Sequence, residues 1–100
     1  MANVKIIVLK KLKTGEVFSE HAVDTMEPEC SRIGEIGKEY ITSMDMPEGF
    51  CSWAWADIQR DVIHLALGGD FPWMKQKGTI ISACTDGLRP VLFKIERIED

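Results

Sequence analysis

The clearest element in the hydrophobic pattern is an amphipathic helix over residues 52–67. Apolar side chains recur there at helical spacing, at Trp55, Ile58, Val62 and Leu65. The polar side chains of the same stretch fall on the opposite face, at Asp57, Arg60, Asp61 and His64. Ser52 or Cys51 is placed to cap the start. The Gly68-Gly69 pair is typical of a helix end, where a residue in the left-handed conformation is needed.

Two strand patterns precede this helix. Residues 4–12 carry apolar side chains on both faces, which is typical of a strand in the interior of a sheet. Residues 37–43 alternate, with Tyr40 on one face and Ile41 on the other. Residues 16–23 fit either a short strand or one helical turn, and the pattern does not decide between them.

A β-hairpin follows the helix. Residues 78–84 and 90–98 both have strand patterns, and the turn between them contains Asp86-Gly87, a strong hairpin signal. The second run places alternate side chains inward, at Val91, Phe93 and Ile95. We therefore expect a small α+β domain over residues 1–100, with an antiparallel sheet of about four strands packed against one principal helix.

Composition keeps the chain among ordinary globular proteins. Its 100 residues suit a single domain, with 45% hydrophobic and 28% charged residues. No apolar run approaches the roughly 20 residues that span a bilayer. The first residues lack the small-residue cleavage site of a signal peptide. We therefore expect a cytoplasmic protein that does not enter membranes.

Charge argues against a nucleic-acid partner. The net charge is −4, whereas nucleic-acid binding usually requires a basic face. The basic cluster of Lys10, Lys11 and Lys13 is interpreted instead as protection of an exposed strand edge.

Three sequence strings carry a resemblance. They are CSWAWADI at residues 51–58, GGDFPWM at 68–74 and CTDGLRPVLFK at 84–94. With them, the chain from Val4 to Ile98 resembles a family of small uncharacterised proteins of similar length from anaerobic bacteria and archaea. The chain departs from the family pattern at Ser31, where proline is usual, at Ile33, where an aromatic residue is usual, and at Ala83, where a second cysteine is expected. The resemblance supports the fold class and implies no activity.

The cysteines Cys30, Cys51 and Cys84 are odd in number and widely spaced, so they do not indicate a disulfide framework. No metal site is expected, because no two of them have the short spacing of a ligand pair. The alternative is a zinc or iron–sulfur site held by all three, with Asp86 or His21 as a further ligand. The sequence does not identify a cofactor.

Four residues are candidates for catalysis: Cys51, Cys84, Asp57 and Asp86. Cys51 precedes the helix, where backbone N–H groups and the helix dipole favour a thiolate, although a small buried thiol is the alternative. Asp86 either holds its own turn through hydrogen bonds or forms a polar rim with Cys84 and Arg89. In the second case Arg89 could bind a carboxylate or phosphate with two hydrogen bonds. Asp57 belongs either to a solvated helix face or to a site beside the tryptophans.

The aromatic residues of this region are Trp53, Trp55, Phe71 and Trp73, with Met74 beside them. Trp55 lies on the core face of the helix. Trp53 lies about 200° around the helix from it and must therefore cover another surface. That surface is either a ligand pocket or an interface with a protein partner.

Two functional classes follow. In the first, a small-molecule site, binding or enzymatic, is built from the Cys51 helix start, the loop 71–74 and the turn 84–89, with Trp53, Trp73 and Arg89 contacting the ligand. This hypothesis expects the three segments to meet at one end of the molecule. In the second, Trp53 and the loop 71–74 (Phe71 to Met74) form an interface with another protein or a second copy of the chain.

Overall fold

The computed structural model describes residues 1–16 and 18–98. Within them lie strands β1 (Asn3–Lys11), β2 (Glu39–Thr42), β3 (Thr79–Ala83) and β4 (Val91–Ile98), and the helix α1 (Ser52–Ala66). The strands form one antiparallel sheet in the order β2-β1-β4-β3. The predicted α+β class, the principal helix and the C-terminal hairpin are confirmed.

Strand β1 lies in the interior of the sheet, as its apolar pattern predicted. It pairs with β4 from Asn3 to Lys11 and with β2 from Val4 to Ile7. Lys10 and Lys11 lie beyond the part of β1 that pairs with β2, where β1 pairs with β4 alone, so the interpretation of the lysines as edge protection stays a prediction. Lys11 donates hydrogen bonds to the carbonyl oxygens of Cys30 and Ile33, at 2.9 and 3.5 Å.

The core lies between α1 and one face of the sheet. Strands β1 and β4 contribute alternate residues to it, and the helix contributes its apolar face: Val4, Ile6, Val8, Val91, Phe93, Ile95, Ile58, Val62 and Leu65 are all fully or almost fully buried. Asp61, expected on the exposed face, is also buried. The exposed polar face of the helix is therefore narrower than the sequence pattern predicted.

The segment after β1 contains two short 3₁₀ helices, Thr14–Glu16 and Ser19–His21. The sequence pattern of residues 16–23 allows either a strand or a helical turn. The described part of this segment has helical turns. Val17 lies outside the described residues. No helix in the described part of the chain has the length and apolar character needed to cross a membrane.

Helix α1 ends at the Gly-Gly pair, as predicted. Gly68 has a φ of +94° and donates its N–H to the carbonyl oxygen of Leu65, and Gly69 donates to that of His64. These two bonds are those of a Schellman motif, which satisfies carbonyl groups left free at a helix end. The His64 ring then folds back over Gly69, and its Nε2 lies 2.9 Å from the carbonyl oxygen of Asp70.

Gly69 is required because the imidazole of His64 occupies the space of a side chain. A Cβ at this position would overlap the ring. We expect Gly69→Ala to lower the free energy of unfolding by about 1 kcal/mol, since the exposed His64 ring must move away and lose its hydrogen bond with the carbonyl oxygen of Asp70. In a His64→Ala background, Gly69→Ala should leave the free energy of unfolding unchanged, because no ring is present to overlap with the new Cβ. Chemical denaturation of the four variants of this double-mutant cycle measures the difference. Equal costs in both backgrounds would contradict the assignment.

Candidate functional site

A cleft of about 430 Å³ lies where the start of α1, the loop 84–90 between β3 and β4, and the segment 30–33 meet. All three cysteines line it, although 54 positions separate Cys30 from Cys84 in the chain. They are free thiols, each half-buried. The fold thus gathers into one cleft the three thiols that the sequence scatters over three segments.

The helix start forms one wall. Cys51 is the N-cap residue of α1, and its sulfur makes no capping hydrogen bond. No acidic side chain lies in the first helical turn. Because the first N–H groups of a helix have no partner within the helix, this end carries a partial positive charge. Cys51, Trp53 and Ala54 line the cleft from this wall, and Trp53 remains 65% exposed.

The loop 84–90 forms the second wall, and Asp86 fixes its shape. Its Oδ1 accepts hydrogen bonds from the N–H groups of Leu88 and Arg89, at 3.0 and 3.2 Å. Its Oδ2 lies 3.6 Å from Nε of Arg89. The carboxylate of Asp86 is therefore engaged by its own turn, which is the structural alternative that the sequence left open.

Arg89 has a feature that the sequence does not show. Its Nε is buried and makes no hydrogen bond with any described residue. A buried N–H group without a hydrogen bond costs about 1–3 kcal/mol, and the ion pair with Asp86 at 3.6 Å offsets only part of this cost. An acceptor on a bound ligand would remove this cost.

Asp57 ties the two walls together. Its carboxylate accepts the N–H of Thr85 at 2.7 Å, and both of its oxygens lie within 3.1 Å of the Thr85 hydroxyl. The carboxylate of Asp57, a candidate for catalysis from the sequence, is thus already hydrogen-bonded to the loop. Asp57 is a positioning residue, which holds the loop 84–90 against the first turns of α1.

The segment 30–33 forms the third wall, which the sequence analysis missed. Lys11 binds the carbonyl oxygen of Cys30, and the hydroxyl of Tyr40 accepts the N–H of Gly34 at 3.0 Å. Ile33 is buried beneath them, and Arg32 lines the cleft. The anchors come from β1 and β2, so the local sequence of the segment gives no sign of them.

The floor of the cleft is apolar. It consists of side chains that also belong to the domain core or border it: Ile33, Ala54, Leu88, Val91 and Phe93. The charged groups Arg32, Asp86 and Arg89 lie around this floor. An apolar floor with a few charged groups around it is the usual arrangement of a small-molecule pocket.

Cys84 is the most constrained of the three thiols. Its N–H donates to the carbonyl oxygen of Val91 at 3.0 Å, and its sulfur accepts the N–H of Val91 at 3.3 Å. The pair continues the hairpin ladder by one step, with the side chain replacing a backbone acceptor. The sulfur is therefore held in one position at the wall of the cleft.

The loop 71–74 does not reach this cleft, contrary to the expected meeting of three segments. Phe71 packs on the ring of His64 at 4.7 Å between ring centroids, and Trp73 packs on Phe71 at 5.2 Å. This loop follows the end of a 15-residue helix, about 22 Å from its start. Trp73, proposed as a ligand contact, is 70% exposed and lies outside the lining of the cleft.

The geometry gives the metal alternative no support. Within residues 1–16 and 18–98, no three His, Cys, Asp or Glu side chains lie close enough to hold one ion. Cys30, Cys51 and Cys84 therefore share a cleft without forming a ligand set, and neither Asp86 nor His21 completes one.

A second polar cluster closes the far end of the helix. Arg97 donates to the carbonyl oxygens of Leu65 and Gly69, at 3.1 and 2.7 Å, and to Oδ1 of Asp70 at 2.9 Å. The same oxygen of Asp70 accepts the N–H of Gly78 at 2.7 Å. The hydrogen bond from Arg97 is the main cause that lowers the pKa of the Asp70 carboxyl below its ordinary value.

Comparisons of the chain with models of known protein families, with curated proteins and with solved structures give no match. The resemblance based on the three sequence strings stays a prediction. The function is therefore inferred from the geometry of the cleft.

Proposed function

We propose that the cleft binds a small organic anion with an apolar body. The observation that carries this proposal is the buried Nε of Arg89 at the wall of a cleft of about 430 Å³. This Nε makes no hydrogen bond with any described residue, and its ion-pair partner, Oδ2 of Asp86, lies 3.6 Å away. A carboxylate or phosphate oxygen is the acceptor that a guanidinium binds best. The volume is near the lower end of the range for ligand pockets, which favours a small metabolite.

The charge around the cleft supports an anion. Arg32 and Arg89 line it, and the positive end of α1 faces it through Cys51 and Ala54. Asp86 is the opposing charge, but its carboxylate already accepts two backbone N–H groups. The apolar floor would cover the body of the ligand, with the indole of Trp53 beside it.

Three probes with a phenyl group test the proposal, two charged and one neutral. We expect phenyl phosphate and phenylacetate to bind more tightly than phenylacetamide, which has the same apolar body without the charge. A charge-assisted hydrogen bond predicts a difference of about tenfold or more in Kd. Isothermal titration calorimetry measures it, and the fluorescence of Trp53 provides a second signal.

Arg89→Gln should abolish the preference for the anion, because it removes the unpartnered Nε–H and the charge. Arg60→Gln is the control, since the Arg60 side chain is 87% exposed on the helix and does not line the cleft. Equal binding of charged and neutral probes by the native protein, or no binding of any probe, would rule the proposal out.

A second candidate is an interaction module. The sequence suggested Trp53 together with the loop 71–74 for this role, but Trp53 lies at the start of α1 and the loop follows its end, so the candidate surface is the one around the loop. Trp73 and Leu67 are 70% and 64% exposed at the far end of α1, where Trp73 packs on Phe71. Exposed aromatic side chains are enriched at interfaces. This candidate expects a homo-oligomer at high concentration that Trp73→Ala dissociates, as measured by sedimentation velocity. Trp53→Ala is the matched control, because Trp53 is similarly exposed but lines the cleft.

A cytoplasmic location is part of the proposal. All three cysteines are free, and a reducing compartment keeps thiols in that state. The net charge of −4 supports a small-molecule ligand over a nucleic acid.

A further inference from the structure

The three thiols are the chemical feature of the cleft that anion binding leaves unused. Cys30, Cys51 and Cys84 line the same walls as Arg89, and none is bonded to another. A single nucleophile would suit many kinds of covalent chemistry. Thiols that line a ligand cleft favour thiol–disulfide exchange, because a thiolate attacks a disulfide sulfur directly and needs no further catalytic group.

We propose that the cleft is a thiol–disulfide exchange site for small disulfides that carry a carboxylate, with Cys84 as the attacking thiol. This inference rests on the proposed function, since the carboxylate occupies the anion site at Arg89. The disulfide end of the substrate then lies in the same cleft as the sulfur of Cys84.

Cys84 is chosen because its sulfur is fixed and already accepts a hydrogen bond. The N–H of Val91 points at it from 3.3 Å, and this donor compensates negative charge on the sulfur of the attacking thiolate. Cys51 has no such bond, since its side chain makes no capping contact. Cys84 and Arg89 also belong to one loop, whose shape Asp86 and Asp57 hold.

The step is balanced without any further reagent. Cys84 gives its proton to solvent, and its thiolate attacks one sulfur of the disulfide R–S–S–R. A new bond forms between that sulfur and the sulfur of Cys84, and the S–S bond of the substrate breaks. The second half leaves as a thiolate, R–S⁻, and takes up a proton. The substrate half that leaves is reduced, and Cys84 is oxidised to a mixed disulfide.

Two disulfide reagents of different charge test the inference on the full chain. Dithiobis-nitrobenzoate is a dianion, and dithiodipyridine is neutral at neutral pH. Rates of thiol modification are measured by stopped flow for the native protein and for the protein in urea. The ratio of the two rates in urea gives the intrinsic reactivity of the reagents without the cleft. Mass spectrometry of peptides after one equivalent identifies the modified cysteine.

The native protein should favour the dianion by about tenfold or more relative to the ratio in urea, as a charge-assisted contact predicts. The first adduct should be on Cys84. Arg89→Gln should remove the preference for the dianion over the neutral reagent, and Arg60→Gln, which does not line the cleft, should keep both rates. Cys84→Ser should lose the fast phase, and Cys30→Ser should keep it.

An unchanged ratio between native and unfolded protein overturns the inference, as does a first adduct on Cys30 or Cys51. Binding of phenyl phosphate separates this failure from that of the proposed function, because this probe cannot exchange. If phenyl phosphate binds through Arg89 but the dianionic disulfide gains no advantage, the exchange reaction is wrong and the anion site stands. If neither is observed, both are wrong.

Discussion

Replacing Arg97 with alanine is expected to lower the free energy of unfolding by about 2 kcal/mol, since it removes three charge-assisted hydrogen bonds and leaves the carbonyl oxygen of Gly69 without this donor. Arg97 joins β4 to the end of α1 through Leu65 and Gly69 and fixes the following loop through Asp70. For a chain of this size, the loss corresponds to a decrease in Tm of about 10 °C. Thermal and urea unfolding followed by circular dichroism measure it.

Arg60→Ala is the matched control, because the Arg60 side chain is 87% exposed and should contribute little. The free energy of unfolding of Arg97→Lys should lie between those of the wild type and Arg97→Ala. Lysine keeps the charge but lacks the planar guanidinium group that binds several acceptors at once. A loss for Arg97→Ala no greater than for Arg60→Ala would show that the cluster does not hold the helix end.

The same cluster predicts a pH dependence. The hydrogen bond from Arg97 lowers the pKa of Asp70 in the folded protein. The stabilisation from this carboxylate is therefore present above the pKa that Asp70 has in the unfolded chain, and it is lost as the pH falls through the lower folded value. Urea unfolding at a series of acidic pH values should show this loss in the wild type and a smaller one in Arg97→Ala. If the free energy of unfolding depends on pH equally in both proteins, the role of Arg97 in lowering the pKa of Asp70 is wrong.

The elements of this fold were predictable where a local signal determines structure. The 3.6-residue period and the Gly68-Gly69 stop predicted α1, and Asp86-Gly87 between two alternating runs predicted the hairpin. Arg97 could also have been found. It continues the series Val91, Phe93 and Ile95 on the inward face of β4, and its register partner Val4 is buried. An arginine that continues an inward series must have partners for its donors.

The cleft was predictable only in part, because its third wall depends on contacts distant in sequence. Turn chemistry around Asp86 and the position of Cys51 before α1 indicated two of the walls. The segment 30–33 has no periodic pattern, and it is held by Lys11 and Tyr40 from other elements. Closeness in sequence to the helix suggested that Trp73 belongs to the cleft. The length of that helix separates it from Cys51.

A large side chain at Gly87 is expected to weaken ligand binding without destabilising the domain. Gly87 lines the cleft, and a Cβ on it would meet no heavy atom within 4 Å. Its φ also lies outside the left-handed range, so a side chain introduces no backbone strain there. Because Gly87 lines the cleft and the space beside it is open, we expect the phenyl ring of Gly87→Phe to occupy part of the cleft and to lower the affinity for phenyl phosphate by about tenfold or more.

Gly15→Phe is the matched control for this substitution. Gly15 is likewise open, since a Cβ there would also meet no heavy atom within 4 Å, but it lies outside the lining of the cleft. A readout without any ligand comes from iodoacetamide, a neutral reagent whose reaction with the three cleft thiols should slow in Gly87→Phe and not in Gly15→Phe. Both variants should unfold at a Tm close to that of the wild type. If folded Gly87→Phe binds phenyl phosphate as tightly as the wild type and its thiols react equally fast, the ligand binds outside this cleft. A phenyl group in the wall of the cleft should reduce access to the anion site or to the sulfurs.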